Sequence, residues 1–218
     1  MGKILITIFS LLVWSSYTCR SQDPERFREE VELLIEHNDS ILDQNQETIV
    51  FTGSSSIRFW ENLQSVFPSY QIINSGFGGS HASDLLFYLD ELILRYQPGK
   101  VFIYEGDNDI FDRKRPQKIL KDIEAILSRI WIKNPNTEVV LISAKPSIAR
   151  WHRRGAFKRL NRKFKRLAAE QPNLDYADVW NLMLNGRKLK EDLFIEDGLH
   201  MNQKGYQLWQ EAISPFVK

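Results

Sequence analysis

Apolar residues fall into two kinds of run along this chain. Short apolar runs, Thr48–Thr52, Tyr70–Asn74, Lys100–Tyr104 and Thr137–Ser143, are rich in β-branched and aromatic residues and predict four strands, and the short stretch Leu174–Val179 predicts a fifth. Between them lie stretches in which apolar positions recur at helical spacing: Phe27–Asn45, Ile57–Val66, Ser80–Tyr96, Pro116–Lys133, Gly155–Ala169 and Lys204–Phe216. Strands that are apolar without alternation are buried on both faces by helices. Strand and helix in turn therefore predict an α/β fold, a three-layer α/β/α sandwich on a five-stranded, mainly parallel sheet. No repeat or linker interrupts residues 22–218, which read as one domain.

Residues 1–21 have a different pattern. Lys3 precedes an apolar run from Ile4 to Trp14, and small or polar residues follow up to Ser21. That run rises roughly 16 Å as a helix, about half of a ~30 Å hydrocarbon layer. It reads as a cleaved signal peptide and predicts a secreted or periplasmic protein, with a lipid anchor at Cys19 as the less favoured alternative. Cys19 is the single cysteine of the 218 residues, which excludes a disulfide framework and a thiolate zinc site. Lys and Arg total 29 against 28 Asp and Glu, so no overall field points to nucleic acid.

In a parallel sheet, ligands sit outside the carboxyl ends of the strands. Three unusual loops follow predicted strands: Gly53-Ser54-Ser55-Ser56, Gly76-Phe77-Gly78-Gly79-Ser80 and Glu105-Gly106-Asp107-Asn108-Asp109. The serines fit helix N-caps, or a nucleophile beside free backbone N–H groups. A serine nucleophile needs a base. His37 lies on a polar helix, His152 in a basic run, and His81 beside the glycine turn. His200 stands three residues after Asp197 in a loop, where a carboxylate can orient its ring. The glycine turn lacks the third glycine of a dinucleotide loop, because position 81 is His. Asp107-Asn108-Asp109 fails as a calcium loop, since Phe111 and Asp112 occupy the next ligand and glycine positions. Asp109 reads instead as a structural or capping residue.

Together and in this order, the loops resemble the four blocks of the SGNH or GDSL-type esterases and lipases. Gly53-Ser54-Ser55 is similar to the first block, Gly79 to the second-block glycine, Gly106-Asp107-Asn108-Asp109 to G-x-N-D, and Asp197-Gly198-Leu199-His200 to D-x-x-H. The resemblance implies a flavodoxin-like fold and ester hydrolysis without metal or organic cofactor. It makes Ser55 the nucleophile, His200 the general base, and Asp197 its orienting partner. The oxyanion hole would comprise the N–H groups of Ser55 and Gly79 with the Asn108 side chain. Ser54 departs from the family, which has Asp there. The resemblance is to carbohydrate acetylesterase and platelet-activating-factor acetylhydrolase members, so the expected substrate is a short acyl ester, an O-acetyl group on carbohydrate. A lipid or lysophospholipid ester is the alternative. A non-catalytic carbohydrate-binding protein on the same fold is the other.

The run 150–166 holds nine Lys or Arg and no acid. Phe157, Leu160, Phe164 and Leu167 recur within it at helical spacing, so it reads as an amphipathic helix with a basic solvated face. Such a face suits an anionic glycan or membrane surface as partner, with nucleic acid disfavoured by the predicted secretion. Trp60 and Trp151 could line a sugar site, but core packing is the commoner use of Trp.

Overall fold

The computed structural model describes residues 23–218. The predicted signal segment 1–21 and Cys19 lie outside the described residues. Helix α1 is Arg28–Ile41, followed by β1 (Thr48–Gly53), the short turns α2 (Ser55–Arg58) and α3 (Leu63–Val66), and β2 (Gln71–Gly76). Next come α4 (Ala82–Phe87), α5 (Leu89–Leu92), β3 (Lys100–Tyr104), α6 (Asp107–Phe111) and α7 (Pro116–Lys133). The second half is β4 (Glu138–Ile142), α8 (Arg154–Glu170), β5 (Leu174–Ala177), α9 (Val179–Leu182), a small hairpin of β6 (Leu184–Asn185) and β7 (Lys188–Leu189), and α10 (Gln203–Val217).

The sheet order is β2-β1-β3-β4-β5, with every pairing parallel. This is the flavodoxin-like order. Alternate side chains of each strand feed two cores. Val50, Val101, Ile103, Val139 and Leu141 pack with α1, α4, α5, α7 and α8 on one face. Ile49, Phe51, Phe102, Tyr104, Val140 and Ile142 pack with α2, α3, α9 and α10 on the other. Burial on both faces explains why the central strands β1 and β3 are unbroken apolar runs rather than alternating ones.

All five predicted strands are present, and α7 spans the predicted residues. Two predicted helices are broken. Residues 57–66 form the turn α2 and the turn α3, with Trp60 buried between them against Phe51, Phe67 and Trp209. The stretch 80–96 divides at Tyr88, whose hydroxyl donates to the Pro24 carbonyl 3.1 Å away. Neither break carries a Pro or Gly; tertiary packing sets both.

Glycine matters most where β1 ends. Gly53 has φ +127°, and a Cβ there would lie 2.0 Å from the Tyr104 carbonyl oxygen. The chain can thus turn against β3, with Ser54 N–H donating to Tyr104 O (3.1 Å) and Phe77 N–H to Gly53 O (2.8 Å). Those two bonds bring three strand ends, and the loops after them, to one edge of the sheet.

Candidate active site

Ser55 opens the turn α2 directly after β1, and His200 lies in the loop that precedes α10. The Ser55 Oγ is 3.0 Å from His200 Nε2, and His200 Nδ1 is 2.5 Å from Asp197 Oδ2. An ionised carboxylate only accepts, so Nδ1 carries the ring proton and Nε2 of the neutral ring is left to accept from the serine. The other Asp197 oxygen, Oδ1, accepts from the backbone N–H groups of Leu199 (2.8 Å) and His200 (2.9 Å). Burial works against ionisation of Asp197, but these two N–H groups and the His200 ring outweigh it and bring its pKa to about 2. Gly198, at φ +63°, makes the tight turn that lets one carboxylate reach both backbone and ring. Phe59, half exposed, meets the His200 ring edge-on at 5.0 Å and forms an apolar wall beside it.

Asn108 joins the other two loops. Its Nδ2 donates to Ser54 Oγ (2.6 Å) and to the Ser80 carbonyl (2.9 Å). It therefore ties the residue before Ser55 to the residue after Gly79. Both amide hydrogens of Asn108 are engaged here, so a developing oxyanion would have to replace Ser54 Oγ as acceptor. Gly79 is exposed, with φ +73°. Among the described residues, the N–H groups of Ser55 and Gly79 donate to nothing. The five residues singled out from sequence are thus brought together: Ser55, His200 and Asp197 by direct contact, Asn108 and Gly79 through their neighbours. The serine at 54 now has a place, as acceptor for the Asn108 amide.

The other histidines serve elsewhere. His81 caps α4, and its Nε2 is 2.8 Å from Asp112 Oδ2. His37 and His152 are exposed. Asp109 is fully buried and accepts from the Ala82 N–H at 3.1 Å, the structural role expected of it. Among the described residues, no group of three or more His, Cys, Asp and Glu side chains is placed to hold a metal ion.

Sequence reading missed two residues. Arg150, taken there as part of the basic face, is instead 8% exposed. It donates from Nη1 to Asp107 Oδ1 (2.6 Å) and from Nη2 to Asn108 Oδ1 (2.9 Å). Lys145, 1% exposed, donates to the Leu199 carbonyl (2.8 Å) beside His200 and lies 3.4 Å from Asp107 Oδ2. Burial opposes ionisation of Asp107, yet Lys145 and Arg150 outweigh it and hold its carboxyl below the usual range. The expectation of a basic helix over 150–166 is corrected accordingly: the α-helix starts at Arg154, and Arg150 turns inward because a buried carboxylate needs it. The remaining cations are a different matter. Lys158, Arg159, Arg162 and Lys165 line an open groove of about 610 Å³ with Tyr176 and Trp180, and Asp178 is the one carboxylate among the lining residues. Trp60 is core, and half-buried Trp151 stacks on Trp180 at 6.2 Å.

The sequence profile of the GDSL-like lipase/acylhydrolase family matches residues 39–208. Similar solved structures include a GDSL-like lipase from Bacteroides thetaiotaomicron, 18% identical with TM-score 0.71, covering 89% of this chain and 97% of that one. A lipase/acylhydrolase from Enterococcus faecalis is 22% identical with TM-score 0.66, covering 78% and 95%. A carbohydrate esterase family 3 protein from Talaromyces cellulolyticus is 17% identical with TM-score 0.63, covering 78% and 96%. At these identities the likeness shows the fold. No curated protein sequence matches the chain.

Proposed function

The chain belongs to the GDSL-like lipase/acylhydrolase family of carboxylic ester hydrolases, and from that premise we propose that it removes short acyl groups, O-acetyl above all, from carbohydrate. The observation that carries this reading is the hydrogen-bonded chain from Ser55 through His200 to Asp197 at the carboxyl edge of the sheet. In this mechanism the Ser55 oxygen attacks the ester carbonyl carbon while its proton passes to His200 Nε2. Asp197 stabilises the imidazolium that forms. The N–H groups of Ser55 and Gly79 and the Asn108 amide receive the oxyanion. The alcohol leaves with the proton from His200, and a water molecule repeats the steps in reverse roles to release the acid.

The surroundings suit a bulky alcohol. Asp197 and Phe59 are 42% and 44% exposed, so the rim is open to a polymer approaching from solvent. The likeness to a carbohydrate esterase supports the same choice. The groove of four cations, none of whose lining residues belongs to the site, suits an acidic glycan better than a neutral one.

Fluorophosphonate labelling with the adduct mapped by peptide mass tests the reading. An adduct on Ser55, lost in His200→Ala, is expected. Full labelling of a control esterase with none here would refute it. Hydrolysis of p-nitrophenyl acetate well above p-nitrophenyl octanoate is expected as well; the reverse order would move the substrate to lipid.

A further inference from the structure

Nothing in the steps above needs Arg150, Asp107 or Lys145, yet these three charged side chains are 8%, 4% and 1% exposed. Removing an ionic group from water costs several kcal/mol even after relaxation. Two cations share one buried carboxylate here, and Asp197 is the further negative charge acting on Lys145. An arrangement this unfavourable for stability calls for a task.

The contacts state what that task would be. An Asn side chain can sit either way round, since its oxygen and nitrogen are nearly the same size. A guanidinium only donates, so Arg150 Nη2 at 2.9 Å fixes the oxygen of Asn108 on its own side. The nitrogen then faces Ser54 and Ser80, between the loops that carry Ser55 and Gly79. Arg150 is itself held on two further sides, by Asp107 Oδ1 at 2.6 Å and by the Phe111 ring, 4.6 Å from its guanidinium carbon. Asp107 is fixed in turn by the Tyr104 hydroxyl (2.8 Å) and by Lys145, whose ammonium also holds the Leu199 carbonyl.

We propose that Arg150 is a positioning residue, anchored on Asp107, that locks the Asn108 amide with its nitrogen between the loops that carry Ser55 and Gly79, where the oxyanion of the ester would form. This rests on the esterase reading above and adds a residue to it. Arg150 touches no reacting atom; it acts through Asn108. A lysine in its place would keep the charge but, as a point donor, would not span Asp107 and Asn108 together.

A double-mutant cycle on p-nitrophenyl acetate separates positioning from general support of the fold. Asn108→Ala should lower kcat by about 100-fold or more, the usual loss for one oxyanion donor. Arg150→Met should lower kcat by at least about tenfold with KM changed less than about threefold. Placed on Asn108→Ala, the same Arg150→Met change should cost less than about twofold, because the amide it positions is gone. Arg150→Lys should show the same split and guards against a Met variant that fails to fold. Losses that multiply across the cycle, or an Arg150→Lys enzyme with wild-type kcat, would overturn the proposal while leaving the esterase reading intact. An inert wild-type protein would overturn both.

Discussion

Asp197→Asn is the substitution for which the structure makes the sharpest prediction. The Oδ1 of Asp197 accepts two backbone N–H groups at 2.8 and 2.9 Å, and Oδ2 faces His200 Nδ1 at 2.5 Å. An amide has one acceptor end. The two backbone donors hold the new carbonyl oxygen in the Oδ1 place, which turns the NH2 toward Nδ1. A donor there requires Nδ1 to accept, so the ring proton moves to Nε2, and Nε2 can then no longer take the proton of Ser55. Turning the amide round would set NH2 against two N–H groups, at about 1–3 kcal/mol each. Because the loop is partly exposed, about 2–4 kcal/mol in all is the fitting range. At 1.4 kcal/mol per decade that is a loss of roughly 30- to 1,000-fold in kcat/KM from the tautomer alone. Asp197→Ala removes the carboxylate without enforcing a tautomer and should lose less. Initial rates on p-nitrophenyl acetate at neutral pH, with thermal melts to show both variants folded, decide it. An Asn variant more active than the Ala variant, or within threefold of wild type, would refute the reasoning.

The remaining predictions address register, buried charge, backbone and surface. Ser55→Ala should lose at least about a thousandfold in kcat, whereas Ser54→Ala, which removes only one of two acceptors for the Asn108 amide, should stay within about tenfold; equal losses would mean the nucleophile is misassigned. Burial raises the pKa of Glu105 well above the usual range, helped by the nearby Asp109 and opposed by the Ser80 hydroxyl on its Oε1. An acid whose folded pKa lies above its unfolded value loses stability as pH rises between the two. Glu105→Gln should therefore be more stable than wild type at pH 7 in urea unfolding, with the gain gone at pH 4, and an equal gain at both would contradict this. Gly53→Ala forces a Cβ to 2.0 Å from the Tyr104 carbonyl at φ +127° and should cost at least about 3 kcal/mol or prevent folding. The wild-type protein should be retained on heparin at low salt and released as salt rises, and a variant with Arg162→Glu and Lys165→Glu should pass through while keeping wild-type turnover of p-nitrophenyl acetate; equal retention of both would remove the groove as an anion site.

What could be read from the sequence was whatever short-range chemistry decides. The central strands announced themselves because β1 and β3 are buried on both faces, so no polar residue interrupts Thr48–Thr52 or Lys100–Tyr104. The loops announced themselves because glycine and paired polar residues are costly in a strand and cheap at its end. The helix breaks at Trp60 and Tyr88 gave no local sign, since they follow from an indole wedged among three rings and a hydroxyl reaching a carbonyl 64 residues away. Arg150 was invisible for a more instructive reason. In sequence it heads a run of nine cations, and eight neighbours of the same kind argued for solvent. Only the fold places Asp107, the variable position of its motif, in an interior where its charge has to be met. Arg150 turned inward, and its second N–H pair then fell on the Asn108 oxygen. A residue type that looks redundant in a list becomes singular once a buried partner exists. The converse holds at Ser54. Its departure from the family pattern reads as a defect in sequence, yet in the fold its hydroxyl accepts the amide hydrogen of Asn108 that a carboxylate could have accepted, and it does so without adding a negative charge beside Ser55.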